Sequence, residues 1–260
     1  DLAPFTVASI TPVIVDPETL FLILDVSAQF NSNLTTLASD DLQGTITNTL
    51  TNFNNNSLKT FNSAFRHSQV TKLIDDSDTS LTSNITRVVL GKFFTPTLNE
   101  TIGYTISFNN VIFNPHAGHN TNEGGVIAST GFKVSGDTVN EMFLDEDGFG
   151  NIRRFYILAG EKKYVDNTAG TVNYGNGILS LNPLTINQVS DVDNTSSTQI
   201  RITTIPDSVD IIPVRNQLLE IDLVNTVVNV AIDRLGVGDI NTVNTADLAT
   251  SSFTKTVSGY

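Results

Sequence analysis

The 260-residue chain carries 27 acidic against 14 basic residues, for a net charge of −13, and has no cysteine. That balance lacks the clustered Lys and Arg that nucleic acid or an anionic membrane surface requires, and the missing thiols exclude disulfides, thiolate zinc sites and cysteine nucleophiles. Hydrophobic residues at 39% suffice for a core, charged residues make up 16%, and the polar surface falls to 28 Asn and 34 Thr, types that favour turns and strands and cost less to desolvate than charges.

The chain opens on Asp1 with no initiator Met and no basic leader, and so reads as a fragment of a longer polypeptide. Residues 6–15 are apolar with Pro12 inside, which predicts an edge strand or an extended linker. The run Leu20-Phe21-Leu22-Ile23-Leu24, continued by Val26, Ala28 and Phe30 at alternate positions, predicts a strand over 20–30. It is also the longest aliphatic and aromatic run, far short of the ~20 residues that span a bilayer. Leu42, Ile46, Leu50 and Phe53 recur at helical spacing behind Ser39, the expected N-cap, with Asp40 and Asp41 at the positive end of the dipole. Asn54-Asn55-Asn56 stops this helix. Residues 58–65 suit helix or extended chain equally. Ser68 is the expected cap of a second, short helix carrying Val70, Leu73 and Ile74, and 85–94 returns as a strand. Residues 1–95 thus read as a mixed α/β module of order β-α-α-β.

Residues 96–205 read as a β-rich module. Strands are expected over 104–113, 126–134, 142–144 and 152–158, the last two facing each other across Asp145-Glu146-Asp147-Gly148. Val172-Asn173-Tyr174 and 178–181 form a hairpin about Gly175-Asn176-Gly177. Many short strands with Gly turns imply a sandwich or a small barrel. Residues 95–99, containing Pro96, are the expected hinge between the modules. Residues 206–235 add C-terminal strands over 209–214, 218–224 and 227–232, the last two joined by a turn at Asn225-Thr226. They complete a sheet, of either the first or the second module; the pattern leaves both open. Residues 236–260 are rich in Gly, Ser, Thr and Asn and read as a tail or a partner-binding arm. The expected fold class is α+β: a small β-α-α-β module, then a sandwich-like module, then the C-terminal strands.

Few residues suggest chemistry. His116 and His119 stand three apart with Glu123 nearby, which is part of a metal-ligand pattern with no third ligand evident. Asp145 and Asp147 open a stretch, Asp145-Glu146-Asp147-Gly148-Phe149-Gly150-Asn151, that resembles a calcium loop, but position twelve is Tyr156 where the loop needs Glu, so a hairpin turn is the better reading. Neither Gly148-Phe149-Gly150 nor Gly236-Val237-Gly238 has the third Gly and following helix of a dinucleotide loop. No Gly-x-Ser-x-Gly elbow and no Gly-Lys-Ser/Thr phosphate loop occurs. The expected catalytic, cofactor-binding and metal residues are therefore none.

Several stretches carry a family resemblance. They are Ile10-Thr11-Pro12-Val13-Ile14-Val15-Asp16-Pro17-Glu18, Phe65-Arg66-His67-Ser68, Lys92-Phe93-Phe94-Thr95-Pro96-Thr97, Phe108-Asn109-Asn110, Asn114-Pro115-His116, Ser129-Thr130-Gly131-Phe132 and Val209-Asp210-Ile211-Ile212-Pro213-Val214-Arg215-Asn216-Gln217. Together they resemble the C-terminal part of the baseplate wedge subunit, the gene-six product, of T-even-like contractile-tailed phages of the cyanophage type, which is related to the J-like baseplate proteins. The resemblance implies a structural subunit that pairs with itself as a homodimer, closes into a ring around the hub and transmits the contraction signal. It implies other baseplate wedge proteins as partners and the tail baseplate of the virion, assembled in the host cytoplasm, as the location. It implies no enzyme activity, no cofactor, and no nucleic acid, membrane or small-molecule partner. The competing reading is a β-sandwich adhesin or carbohydrate-binding module, which the absence of Trp disfavours. A carboxylate enzyme has nothing behind it beyond abundant Asp and Glu.

Overall fold

The computed structural model describes residues 17–115, 125–192 and 196–234. The strand expected over 6–15, the His116, His119 and Glu123 group, and the tail over 236–260 lie outside the described residues.

The first strand, β1 (Glu18–Phe30), forms where the sequence alternates. Leu20, Leu22, Leu24, Val26, Ala28 and Phe30 are all buried on one face. Helix α1 (Ser39–Phe53) buries Leu42, Ile46, Leu50 and Phe53, the stripe expected from their spacing. Its N-cap is Ala38 rather than Ser39, and Asp41 Oδ2 accepts the Ala38 N–H at 3.2 Å. The expected stop at Asn54 is a π-helical turn (Asn54–Leu58) that continues α1. Helix α2 (His67–Asp75) buries Val70 and Ile74 and leads into β2 (Leu81–Phe94), antiparallel to β1.

The other strands are β3 (Thr101–Ser107), β4 (Ala128–Ser129), β5 (Phe132–Val134), β6 (Asp137–Glu146), β7 (Asn151–Leu158), β8 (Glu161–Asn173), β9 (Ile178–Val189), β10 (Ile200–Thr204), β11 (Gln217–Ile221) and β12 (Val227–Ile232). One sheet runs β11-β1-β2-β10-β4, with β12 also on β1. The other runs β3-β9-β5-β6-β7-β8, and a further β8–β9 pairing closes β9, β5, β6, β7 and β8 into a five-stranded barrel.

The α+β class is therefore corrected: the described structure is mostly β, 50% strand and 14% helix, with two α-helices. The physical reason is that β1 and β2 do not close a small unit of their own. They form the middle of a six-stranded sheet whose other strands come from beyond residue 127. The sandwich-like second module is likewise a barrel, because β8 bonds both β7 and β9 and leaves no open side between them. Residues 209–214 make no strand, only a single bridge between Ile211 and Phe65. The open question about the C-terminal strands resolves toward β1: β11 lies beside Glu18 to Leu22 and β12 beside Asp25 to Phe30, both parallel to it. They follow one another along a single edge, and the turn at Asn225-Thr226 does not make a hairpin.

A single cluster of buried side chains runs through both sheets, from Leu20 and Val88 to Phe108, Phe132 and Ile186. Ser129 in β4 pairs with Ile202, and Phe132 in β5 pairs with Val189, so one short stretch of chain passes from the sheet into the barrel. The expected hinge is tied down. Pro96 is buried, Thr97 N–H donates to Tyr104 OH at 3.2 Å, and Asn99 N–H donates to the Ile186 carbonyl at 2.8 Å.

Candidate assembly interface

Strands β6 and β7 of the barrel carry a group of buried charges. Asp145, Glu146 and Arg153 are each at most 5% exposed. Asp145 Oδ1 accepts from Arg153 Nε at 3.0 Å, and its Oδ2 accepts from Lys162 Nζ and Tyr164 OH, both at 2.9 Å. Glu146 accepts from Val126 N–H at 2.7 Å, from Tyr174 OH at 2.8 Å and from Gly148 N–H. Arg153 lies over the Tyr164 ring at 4.3 Å. Burial, reinforced by the hydrogen bond to Asp145, pushes the Tyr164 hydroxyl up to about 12, and burial with the Glu146 bond raises Tyr174 as well. Every carboxylate oxygen here accepts a donor from the protein itself, so the group ties β6, β7 and β8 together.

Asp147 forms the turn between β6 and β7. Its Oδ1 accepts the N–H groups of Phe149 (2.8 Å) and Asn151 (3.0 Å), and its Oδ2 accepts Asn151 Nδ2 at 2.7 Å. Burial opposes ionisation, but these bonds outweigh it and hold the carboxyl below its ordinary range. The arrangement is the hairpin turn expected over a calcium loop. Among the described residues, no group of three or more His, Asp and Glu is placed to hold a metal ion.

The quoted stretches meet in space at two places. At the first, Phe65 and Ile211 exchange N–H···O bonds of 2.9 Å in both directions, Arg66 Nη1 reaches Asp210 Oδ2 at 2.9 Å, and Asp210 Oδ1 accepts the His67 N–H at 2.9 Å. The N-cap of α2 is Arg66 rather than the expected Ser68, and Asp210, distant in sequence, supplies a carboxylate at the helix N-terminus. His67 Nε2 donates to the Thr86 carbonyl at 2.8 Å, which fixes α2 to β2. At the second place, Glu18 N–H donates to the Asn216 carbonyl at 3.0 Å while its Oε2 accepts Lys92 Nζ at 3.2 Å and Asn109 Nδ2 at 3.4 Å. Beside it the buried Gln217 donates Nε2 to the Phe108 carbonyl at 3.0 Å. Apart from Thr86, all these residues stand in the stretches quoted above, but the sequence carries no local signal for their contacts, since the pairs joining one stretch to another lie 74 residues or more apart.

Residues 18–92 match the family model of baseplate structural protein gp6, C-terminal domain III. The match is consistent with a gp6-like baseplate wedge protein, and the family indicates a location in the tail baseplate of the virion, among other baseplate proteins. No curated protein matches the chain. The gp6 match takes in β1, α1, α2 and nearly all of β2, and the barrel lies outside it.

Around this gp6-type segment the surface is apolar in places. Val224 is 91% exposed at the bend between β11 and β12, and Val227 is 51% exposed. Val111, Phe113 and Ile205 are also exposed where Phe113 N–H donates to the Ile205 carbonyl at 2.9 Å. A cleft of about 950 Å³ opens beside the gp6 segment, bounded by Phe21 and Phe93 of the sheet, Thr105 and Ser107 of β3, and Asn54 and Lys59 near the end of α1.

Proposed function

We propose that the protein is a structural, non-catalytic subunit of a phage baseplate wedge, which pairs with itself as a homodimer, joins the ring around the hub and passes the contraction signal toward the sheath. The observation that carries this reading is the gp6 match over residues 18–92. The packing supports it: the matched segment shares one core with the barrel, so load applied to either is borne by both. Exposed Val224, at the bend between β11 and β12, and Val227, at the start of β12, suit a contact between copies. The other partners are further wedge proteins. Nucleic acid, membrane and small-molecule substrates have no part in the reading.

The test is peptide mass spectrometry on purified, DNA-filled virions with tail fractions run separately, using the tryptic peptide of residues 134–153 as reporter. Enrichment with tail and baseplate proteins is expected; absence from particles despite presence in infected-cell lysate would remove the wedge assignment. Self-association is read by light scattering across a concentration series, with Val224→Asp and Val227→Asp expected to lower it.

A further inference from the structure

We propose that the cleft between β3 and the sheet receives an extended strand of a partner polypeptide, free of acidic side chains, which adds to the free edge of β3. The proposal rests on the assembly reading and names the kind of contact it uses.

The free edge comes first. Strand β3 pairs on one side only, with β9. The Phe108 N–H bond to the Gly177 carbonyl, at 2.9 Å, sets the parity of this antiparallel ladder. Ile106 opposite Leu179 is then a hydrogen-bonded position, and Thr105 and Ser107 are the alternate ones, whose N–H and C=O groups point away from β9. Among the described residues these backbone groups have no partner. They line the cleft, and strand-edge groups in that position are a template for another strand.

The opposite wall is aromatic. Phe21 and Phe93 meet edge to face at 5.0 Å, and Phe94 lies beside them in the cleft lining. All three rings are half-buried, which leaves apolar surface for side chains projecting from an added strand at every second residue.

The two cations at the rim are already paired. Lys59 pairs with Glu220, and Lys92 pairs with Glu18. Asp222 accepts Asn225 Nδ2 at 2.6 Å and the Asn225 N–H at 3.1 Å. Asp222 keeps its negative charge, so an acidic side chain entering the cleft would find no free cation among the described residues, would face that carboxylate and would lose its hydration; the cleft selects a segment without acidic residues.

A short capped peptide alternating Val and Thr, with one central Trp, is the probe. The chain has no Trp, so the emission reports the peptide alone. Saturable binding with a blue shift is expected. Thr105→Pro removes one outward N–H without touching the β9 ladder and is expected to weaken binding at least about tenfold. Phe93→Ser does the same from the opposite wall, and the peptide with Glu in place of Val does not bind. Circular dichroism and the thermal midpoint show that each variant is folded. Equal affinity in Thr105→Pro, or no saturable binding by the wild type, overturns the proposal. So does binding that appears only after residues 1–16 are removed, which would give the cleft to this chain's own leading segment, or dimerisation that Thr105→Pro abolishes, which would give it to a second copy. The virion measurement is independent: a chain present in tails that binds no peptide loses the cleft proposal and keeps the baseplate reading.

Discussion

Asn54 is a side chain used as a piece of backbone. It is 1% exposed, its Oδ1 accepts the Ile221 N–H at 2.8 Å, and its Nδ2 donates to the Ile221 carbonyl at 3.4 Å. Those Ile221 groups face away from β1, at the outer edge of the sheet, where an unsatisfied pair would be costly. Asn54→Ala orphans both, so it should cost about 2–4 kcal/mol and lower the thermal midpoint by roughly 5–15 °C. The sequence marks Asn54 only as the end of a helix; its partner is 167 residues away, and nothing local announces it. Tyr164 and Tyr174 make a second residue-scale case. Both hydroxyls have pKa values raised above the ordinary 10.0, Tyr164 to about 12, so the folded state keeps its protons where the unfolded chain loses them. Their contribution to stability is complete below pH 10 and is lost as pH rises from there through 12. Denaturation series over that range should fall in stability, and absorbance at the phenolate band should show late-ionising tyrosines among the five.

Helix α1 illustrates what an element gains from its surroundings. Thr45, Thr47, Thr49 and Thr51 each return their hydroxyl to the carbonyl four residues back, at 2.8 to 3.0 Å, a habit that offers little to helix propensity. Packing of Leu42, Ile46, Leu50 and Phe53 holds the helix instead. Gly44 is the weak point, and a Cβ there would meet nothing within 4 Å. Gly44→Ala should therefore stabilise the protein by about 0.5–1 kcal/mol, seen as a rise of a few degrees in the melting curve. At this scale the sequence was informative where a period was visible. Both helices and the hairpin about Asp145-Glu146-Asp147-Gly148 follow from spacing and turn residues. Strand β8 was mostly missed because Glu161, Lys162, Lys163 and Asp166 obscure its alternation, although Lys162 and Tyr164 both bond buried Asp145. Pairing partners were invisible: Ile200-Arg201-Ile202-Thr203-Thr204 alternates like any strand, and only the fold sets it against β2.

For the molecule as a whole, the shared core and the tied-down connector predict a single cooperative unfolding transition. Far-ultraviolet dichroism, tyrosine fluorescence and calorimetry should give one midpoint; separated transitions would mean that sheet and barrel unfold independently. The candidate interface was legible only as a set of stretches with a family resemblance, because a cleft bounded by Phe21, Thr105 and Lys59 exists only once distant strands are paired. The parallel placement of β12 on β1 has a mechanical consequence. A force pulling residue 17 away from residue 234 drags the two strands past each other lengthwise, and the ladder from Asp25–Val227 to Phe30–Ile232 is strained all at once rather than peeled bond by bond. Stretched along that line, the protein is a stiff link, and the strand that begins the matched segment shares its tension with one near the far end of the described chain.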